Sequence, residues 1–339
     1  MLVNELRTAM GKYDNDSLRE IIVALYKMIP KSKKESEGLD SLLLDFTKEK
    51  KKAPKGDKQV DFDALADEIM QFMSFADASL YLAPNRQVSK DKRSKWRFEV
   101  KRFIRDLLTV KGEHSVASAR ILAYIYEMLC YACNYYIFRS DVPFSAVGYQ
   151  QTELLHLVLA KLFYCGYDEK TIKTAVFLTL DSTTDSDTYH VSLLYTLAEF
   201  LKTPDTIEMA LVQCLKYMDE YDSYQAQKHL FKYPSQQSDK YRKNEHFNWA
   251  IEMYLILKFK LHEYDEGIKF FWNKYIEYKP EIKLYIMLQF LDRDDLNEYW
   301  IREYEKAVNN KILPRDTLQI EYQRRIEDIA DIMSSVEDR

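Results

Sequence analysis

Apolar residues recur at helical spacing along this chain, and the stops between the runs predict a series of helices. Leu2, Leu6 and Met10 open a short helix that closes near Gly11. Leu18, Ile21, Ile22, Leu25 and Met28 form a second apolar stripe, with Ser17 and Glu20 placed as a capping box and Pro30 as the stop. A third short helix is expected over 39–46. Longer helices are predicted over 61–82, 91–110 and 115–138. Beyond Pro143 the pattern pairs: 150–165 with 168–180, then 186–202 with 205–218. Further helices follow over 221–232, 244–262, 264–278, 281–291, 294–309 and 315–333. Prolines 204, 234, 280 and 314 fall between them, where a missing N–H does least harm.

One segment repeats. Thr171, Ile172, Ala175 and Leu180 recur as Thr206, Ile207, Ala210 and Leu215, and Leu159 and Leu162 recur as Leu194 and Leu197. A period near 34 residues belongs to stacked helix hairpins. The stretch 262–280 resembles the second half of a tetratricopeptide repeat, with Tyr264, Gly267, Phe271 and Pro280 in the roles that family assigns to its turn, small residue, aromatic and closing proline. The proline falls one residue late, and the family's first-helix Trp and Gly-Tyr signature is missing upstream. The resemblance implies a concave groove that holds partner segments.

The expected fold is therefore all-α, a helix-hairpin solenoid of tetratricopeptide or HEAT type with a small N-terminal helical unit. That unit spans 1–47, and the opening resembles small bacterial helical domains of unknown function. A Lys-rich linker over 48–60 follows, carrying Pro54 and Gly56. The array covers 61–339, with long helices and a basic stripe in 61–140 and hairpin repeats in 141–339.

Composition sharpens this picture. Seven glycines in 339 residues is roughly a third of average usage, which disfavours a hairpin-rich β fold. Neither G-x-x-x-x-G-K-[ST] nor G-x-G-x-x-G occurs, so no nucleotide cofactor of those types is expected, and no cofactor is assigned. Four cysteines and no signal-peptide pattern lead to an expectation of reduced thiols and a cytoplasmic location. Arg120, Glu127 and Asn134 interrupt the most apolar window, Val116 to Phe138, so a buried helix is expected there and no membrane span. The net charge of −5 divides unevenly: residues 1–105 carry 22 Lys/Arg against 17 Asp/Glu, and the remainder carries 27 against 37.

Candidate chemistry is sparse. On the predicted helix 90–105, Arg93, Arg97, Lys101 and Arg105 recur every four residues opposite a core stripe of Trp96, Val100, Phe103 and Leu107. With Arg86 they form a nucleic-acid-binding candidate, set against solvated or internally paired charge. Glu153-x-x-His156 and Asp187-x-x-His190 place an acid and a histidine on one helix face, the pattern of a metal-dependent helical bundle. No bridging carboxylates sit at matching positions, and Asp187 reads as a helix N-cap. Cys130-x-x-Cys133 lies within a helical pattern and reads as core. Arg242 to His246 resembles the Arg-x-x-x-x-His pattern of helical ribonucleases of the higher-eukaryote-and-prokaryote nucleotide-binding type, one residue short and in a charged tract read as loop. The favoured reading is a non-catalytic scaffold binding a protein or peptide through Tyr254, Tyr264, Phe271, Trp272 and Tyr275. Nucleic-acid binding is the alternative and a metal-dependent enzyme the third.

Overall fold

The computed structural model describes residues 9–30, 34, 61–228, 230–232 and 239–337. Among these the regular structure is helix only, fourteen α-helices and one 3-10 turn. The chain divides into two compact units, Met1–Val60 and Asp61–Arg339. In the first, α1 spans Asn15–Met28, capped by Asp14, whose side chain accepts from the Ser17 N–H at 2.7 Å. The cap is thus Asp14 and not Ser17. A carboxylate at the N-cap satisfies an orphan amide and faces the positive end of the helix dipole. The expected helix over 39–46 and the linker over 48–60 lie outside the described residues.

In the second unit the helices are α2 (Phe62–Asp77), α3 (Lys90–Thr109), α4 (Ser115–Asn134), α5 (Pro143–Val147), α6 (Gln151–Tyr164), α7 (Glu169–Leu180) and α8 (His190–Ala198). There follow α9 (Pro204–Gln227), α10 (Asp239–Lys260), α11 (Tyr264–Lys274), α12 (Pro280–Arg293), α13 (Asn297–Asn309) and α14 (Asp316–Glu337). Two boundaries depart from expectation. No glycine or proline interrupts 205–227, so α9 continues through the supposed break near 219. The charged tract around Arg242 is helical, since α10 begins at Asp239. Pro143, Pro204 and Pro280 each sit within the first turn of a helix, where the N–H they lack has no intrahelical acceptor.

α4 is the hub of the N-terminal half and packs on α2, α3, α5 and α6. Gly112–Asn134 is long and apolar enough to cross a bilayer, yet 56% of its most apolar window is buried in the fold. Leu122, Ile125, Tyr126, Met128 and Leu129 carry that face, each stabilising by roughly 1.5–3 kcal/mol. Trp96, Val100, Phe103 and Leu107 of α3 are likewise buried. Phe138 stacks on Trp96 at 4.0 Å and on Phe72 at 6.0 Å, tying the chain after α4 to α2 and α3.

Farther along, α6 packs on α8, and α7 packs on α9. The echoed positions share environments: Ile172 and Ile207 are buried, as are Ala175 and Ala210, Leu159 and Leu194, and Leu162 and Leu197. The echo fails at its end, where Leu180 is fully buried and Leu215 is 38% exposed. From α10 onward neighbours in sequence pack on one another, α10 on α11 and α12 on α13.

Two buried titratable sites give stability opposite pH slopes. His190 stacks on Trp249 at 3.7 Å with neither ring nitrogen hydrogen-bonded, and burial, reinforced by His246, holds its pKa well below 6.5. A base whose folded pKa is depressed loses stability as pH falls below its unfolded value. His190→Phe keeps the stack and removes two unsatisfied nitrogens, so it should gain about 1 kcal/mol over wild type at pH 5.5 relative to pH 8 in urea melts. An unchanged pH slope would contradict this. Glu252, hydrogen-bonded by the Tyr275 hydroxyl at 3.0 Å, is raised by burial to about 7 from 4.5. Its folded form binds the extra proton between those values, so stability falls as pH rises through that window. Glu252→Gln should flatten that decline, worth on the order of 3 kcal/mol; a variant that still loses stability as steeply as wild type would refute the assignment.

Candidate binding groove

α7 ends on a carboxylate that it cannot itself stabilise. Asp181, the C-cap, is 4% exposed and lies at the negative end of the helix dipole. Its partners come from α9 and the residue beyond: the Tyr217 hydroxyl donates at 3.4 Å, and Gln225 Nε2 and Lys228 Nζ donate to its two oxygens. Burial works against the Lys228 ammonium, but Asp181 outweighs it and holds the pKa above its ordinary value. Lys228 also lies 5.3 Å over the Tyr224 ring. Below the carboxylate, His246 Nδ1 lies 2.8 Å from the Leu180 carbonyl, which can only accept, so the ring proton sits on Nδ1. That leaves Nε2 a buried acceptor without a partner.

The loop after Asp181 is pinned from the other side. Gln151, fully buried at the start of α6, donates to the Thr183 carbonyl at 2.9 Å and accepts from the Asp185 N–H at 3.1 Å. Ser182 donates to Leu178 O at 2.7 Å, and the Thr183 hydroxyl to Cys130 O on α4. Farther on, Phe231 takes a φ of +54°, a conformation costing about 1 kcal/mol outside glycine. A 2.6 Å bond from its N–H to Asp77 and burial of its ring beside Tyr131 offset that cost.

Three hollows meet between these walls. A water-sized pocket of about 10 Å³ lies against Tyr126, Cys130, Asp181 and Ser182. An apolar cleft of about 360 Å³ opens toward Met70, Met73, Tyr124, Leu230 and Phe231. A second cleft, of about 310 Å³, opens toward the charged side chains of Arg120, Lys170, Lys173 and Glu220. Glu127 lines all three. Among the described residues its carboxyl has no hydrogen-bond or ion-pair partner, and burial raises its pKa against the pull of Lys228. By contrast Lys173 pairs with Glu220 at 2.6 Å. Arg120, Tyr124 and Glu127 share one face of α4 at the spacing i, i+4, i+7. The same charges that interrupt the apolar window mark the groove side of that helix, a signal that reads as mere interruption in sequence.

The aromatic residues favoured from sequence lie elsewhere: Phe271 and Tyr254 are buried, and Tyr264, Trp272 and Tyr275 are half-buried. Phe271 is fully buried, Tyr254 is 9% exposed and stacks on Phe270, and Tyr275 stacks on Phe271 at 4.4 Å. Trp272 donates to Glu303 at 2.8 Å, and Tyr264 packs on Tyr299. Their ring contacts pack seams between helices, where large rings bury most area.

The metal pattern does not assemble. Glu153 caps its own helix by accepting from the Gln150 N–H at 3.0 Å. His156 is exposed beside Glu199, while His190 is buried against Trp249. Asp187 is not an N-cap either, because α8 starts at His190 behind Tyr189. Among the described residues no three His, Cys, Asp or Glu side chains gather at one point. Cys130 is buried with its thiol pushed up to about 12, which suppresses the thiolate. His246 of the ribonuclease-like pattern is fully buried.

The basic stripe divides. Arg93 and Arg97 line a cleft near Arg139. Lys101 lies over Gly148, where a Cβ would meet its ammonium at 2.8 Å. Arg105 pairs with its neighbour Asp106 at 2.9 Å, and Arg86 is exposed and does not line the cleft. No family model, curated protein or solved structure matches this chain.

Removing one member of a buried ion pair strands the other. Asp181→Ala should therefore cost about 3 kcal/mol in denaturant melts, and adding Lys228→Met should recover part of the loss. Additive losses in the double variant would mean that the two groups do not support each other.

Proposed function

We propose that this chain is a non-catalytic binding protein whose groove around Glu127 holds an extended segment of a protein partner. The observation that carries the reading is Glu127 itself: a partly buried carboxyl without a partner, at the meeting point of two clefts, one of them edged by charged side chains. Burial disfavours its charged form, and an incoming cationic donor stabilises that charge. The complementary segment places an apolar side chain against Met70, Met73 and Phe231 and a Lys, Arg or backbone N–H at Glu127. Tyr124, 47% exposed, supplies an aromatic surface at the entrance, the kind of residue that carries interface energy.

The same reading extends to architecture. The hairpins 151–180 and 190–227 are proposed as two copies of one stacking unit, supported by their matching buried positions and by the packing of first helix on first and second on second. Such stacking lines up α7 and α9 as one wall of the groove.

Display of a random peptide library of about twelve residues tests the proposal. Enriched peptides are expected to carry an apolar residue close to Lys or Arg, and Glu127→Gln with Tyr124→Ala should weaken them at least tenfold. A failure to enrich, or equal binding by the variant, would refute the groove.

A further inference from the structure

A second concavity lies apart from the groove, at the start of α3. It measures about 540 Å³ and is lined by Lys90, Arg93, Arg97 and Arg139, with no acidic side chain among its walls. We propose that it binds a compact oligophosphate anion.

The cations arrive there through the packing of the fold. Arg93 and Arg97 stand one turn apart on α3. Arg139 is brought in from the segment after α4, because Phe138 beside it is stacked on Trp96 of α3 at 4.0 Å. The opposite wall is the stretch before α3, stiffened by Asn85. That side chain donates to Leu80 O at 2.6 Å and Ala83 O at 2.9 Å and accepts from the Gln87 and Val88 N–H groups. The Arg93 guanidinium donates to the Val88 carbonyl at 2.6 Å, which fixes its direction and leaves its remaining N–H groups for a ligand.

The charge is not consumed internally. Among the described residues Lys90, Arg93, Arg97 and Arg139 make no ion pair, whereas nearby acids are engaged: Asp91 with Lys95 at 2.9 Å, and Asp141 with the Tyr136 hydroxyl at 2.7 Å. Like charges held this close repel, and a multivalent anion removes that repulsion while accepting forked N–H donors. A compact ligand fits better than a nucleic-acid strand. Past Lys101 the stripe is neutralised, since Arg105 is paired with Asp106, and the neighbouring Arg102 is paired with Glu68 at 2.5 Å. The aromatic lining residues Tyr81 and Trp96 are both 5% exposed and offer no face for base stacking.

Calorimetric titration of the full chain with tripolyphosphate is the test, beside single-stranded oligonucleotides of increasing length. Binding with Kd on the order of micromolar is expected, weakening as salt rises. Arg97→Glu with Arg139→Glu should weaken it more than tenfold. A control of equal charge change, Arg105→Glu with Lys216→Glu, should leave it within twofold. If the double reversal does not fold by circular dichroism, Arg139→Gln, on an exposed side chain, carries the same comparison with a several-fold loss. Absence of binding, an equal loss in the control, or an oligonucleotide affinity that keeps rising with length would each overturn the assignment.

Discussion

The carboxylate of Asp181 is the constraint around which the central helices are arranged. It is buried, and it sits at the end of α7 where the helix dipole is negative, so both desolvation and the dipole oppose its charge. Only the convergence of Tyr217, Gln225 and Lys228 makes that position tolerable. Those three residues occupy the last turns of α9 and the position just past it. The long final section of α9 is therefore fixed against α7 by one charge, and that section is a wall of the groove.

The buried polar links radiate from this point. Gln151 holds the loop after Asp181 to α6, Thr183 ties it to α4, and His246 brings α10 to the Leu180 carbonyl. Each bond alone stabilises by about 1 kcal/mol. Together they define how α4, α7 and α9 face one another, and so set the width of the space in front of Glu127. The groove and its unpaired carboxyl follow from the way the neighbouring charges are satisfied. At the other end of α4 the same logic places Arg139: an apolar stack, Phe138 on Trp96, positions a cation without neutralising it.

Much of the fold is legible in the chain. Helical periodicity and prolines locate most helices to within a few residues, and the α3 stripe of Trp96, Val100, Phe103 and Leu107 faces the core. Local signals misled where a choice between neighbours was needed: Asp14 outcompetes Ser17 as a cap, and α9 runs on where two helices, 205–218 and 221–232, were expected. The groove was not legible, because Glu127, Asp181 and Lys228 are far apart in sequence and none belongs to a spaced motif. Tyrosine enrichment does not by itself separate core rings from surface ones. Tyr254 is drawn inside by ring area that packing rewards more than solvent does, while Tyr275 stays half-buried against Phe271.

Amide hydrogen exchange on the wild-type chain tests the central claim most directly. If Asp181 holds α7, its following loop and the end of α9 as one body, the amides of 182–185 and 224–228 should exchange as slowly as the middle of α9 and open together with it. Exchange of those amides at the rate of an unconstrained loop, while the middle of α9 stays protected, would contradict it.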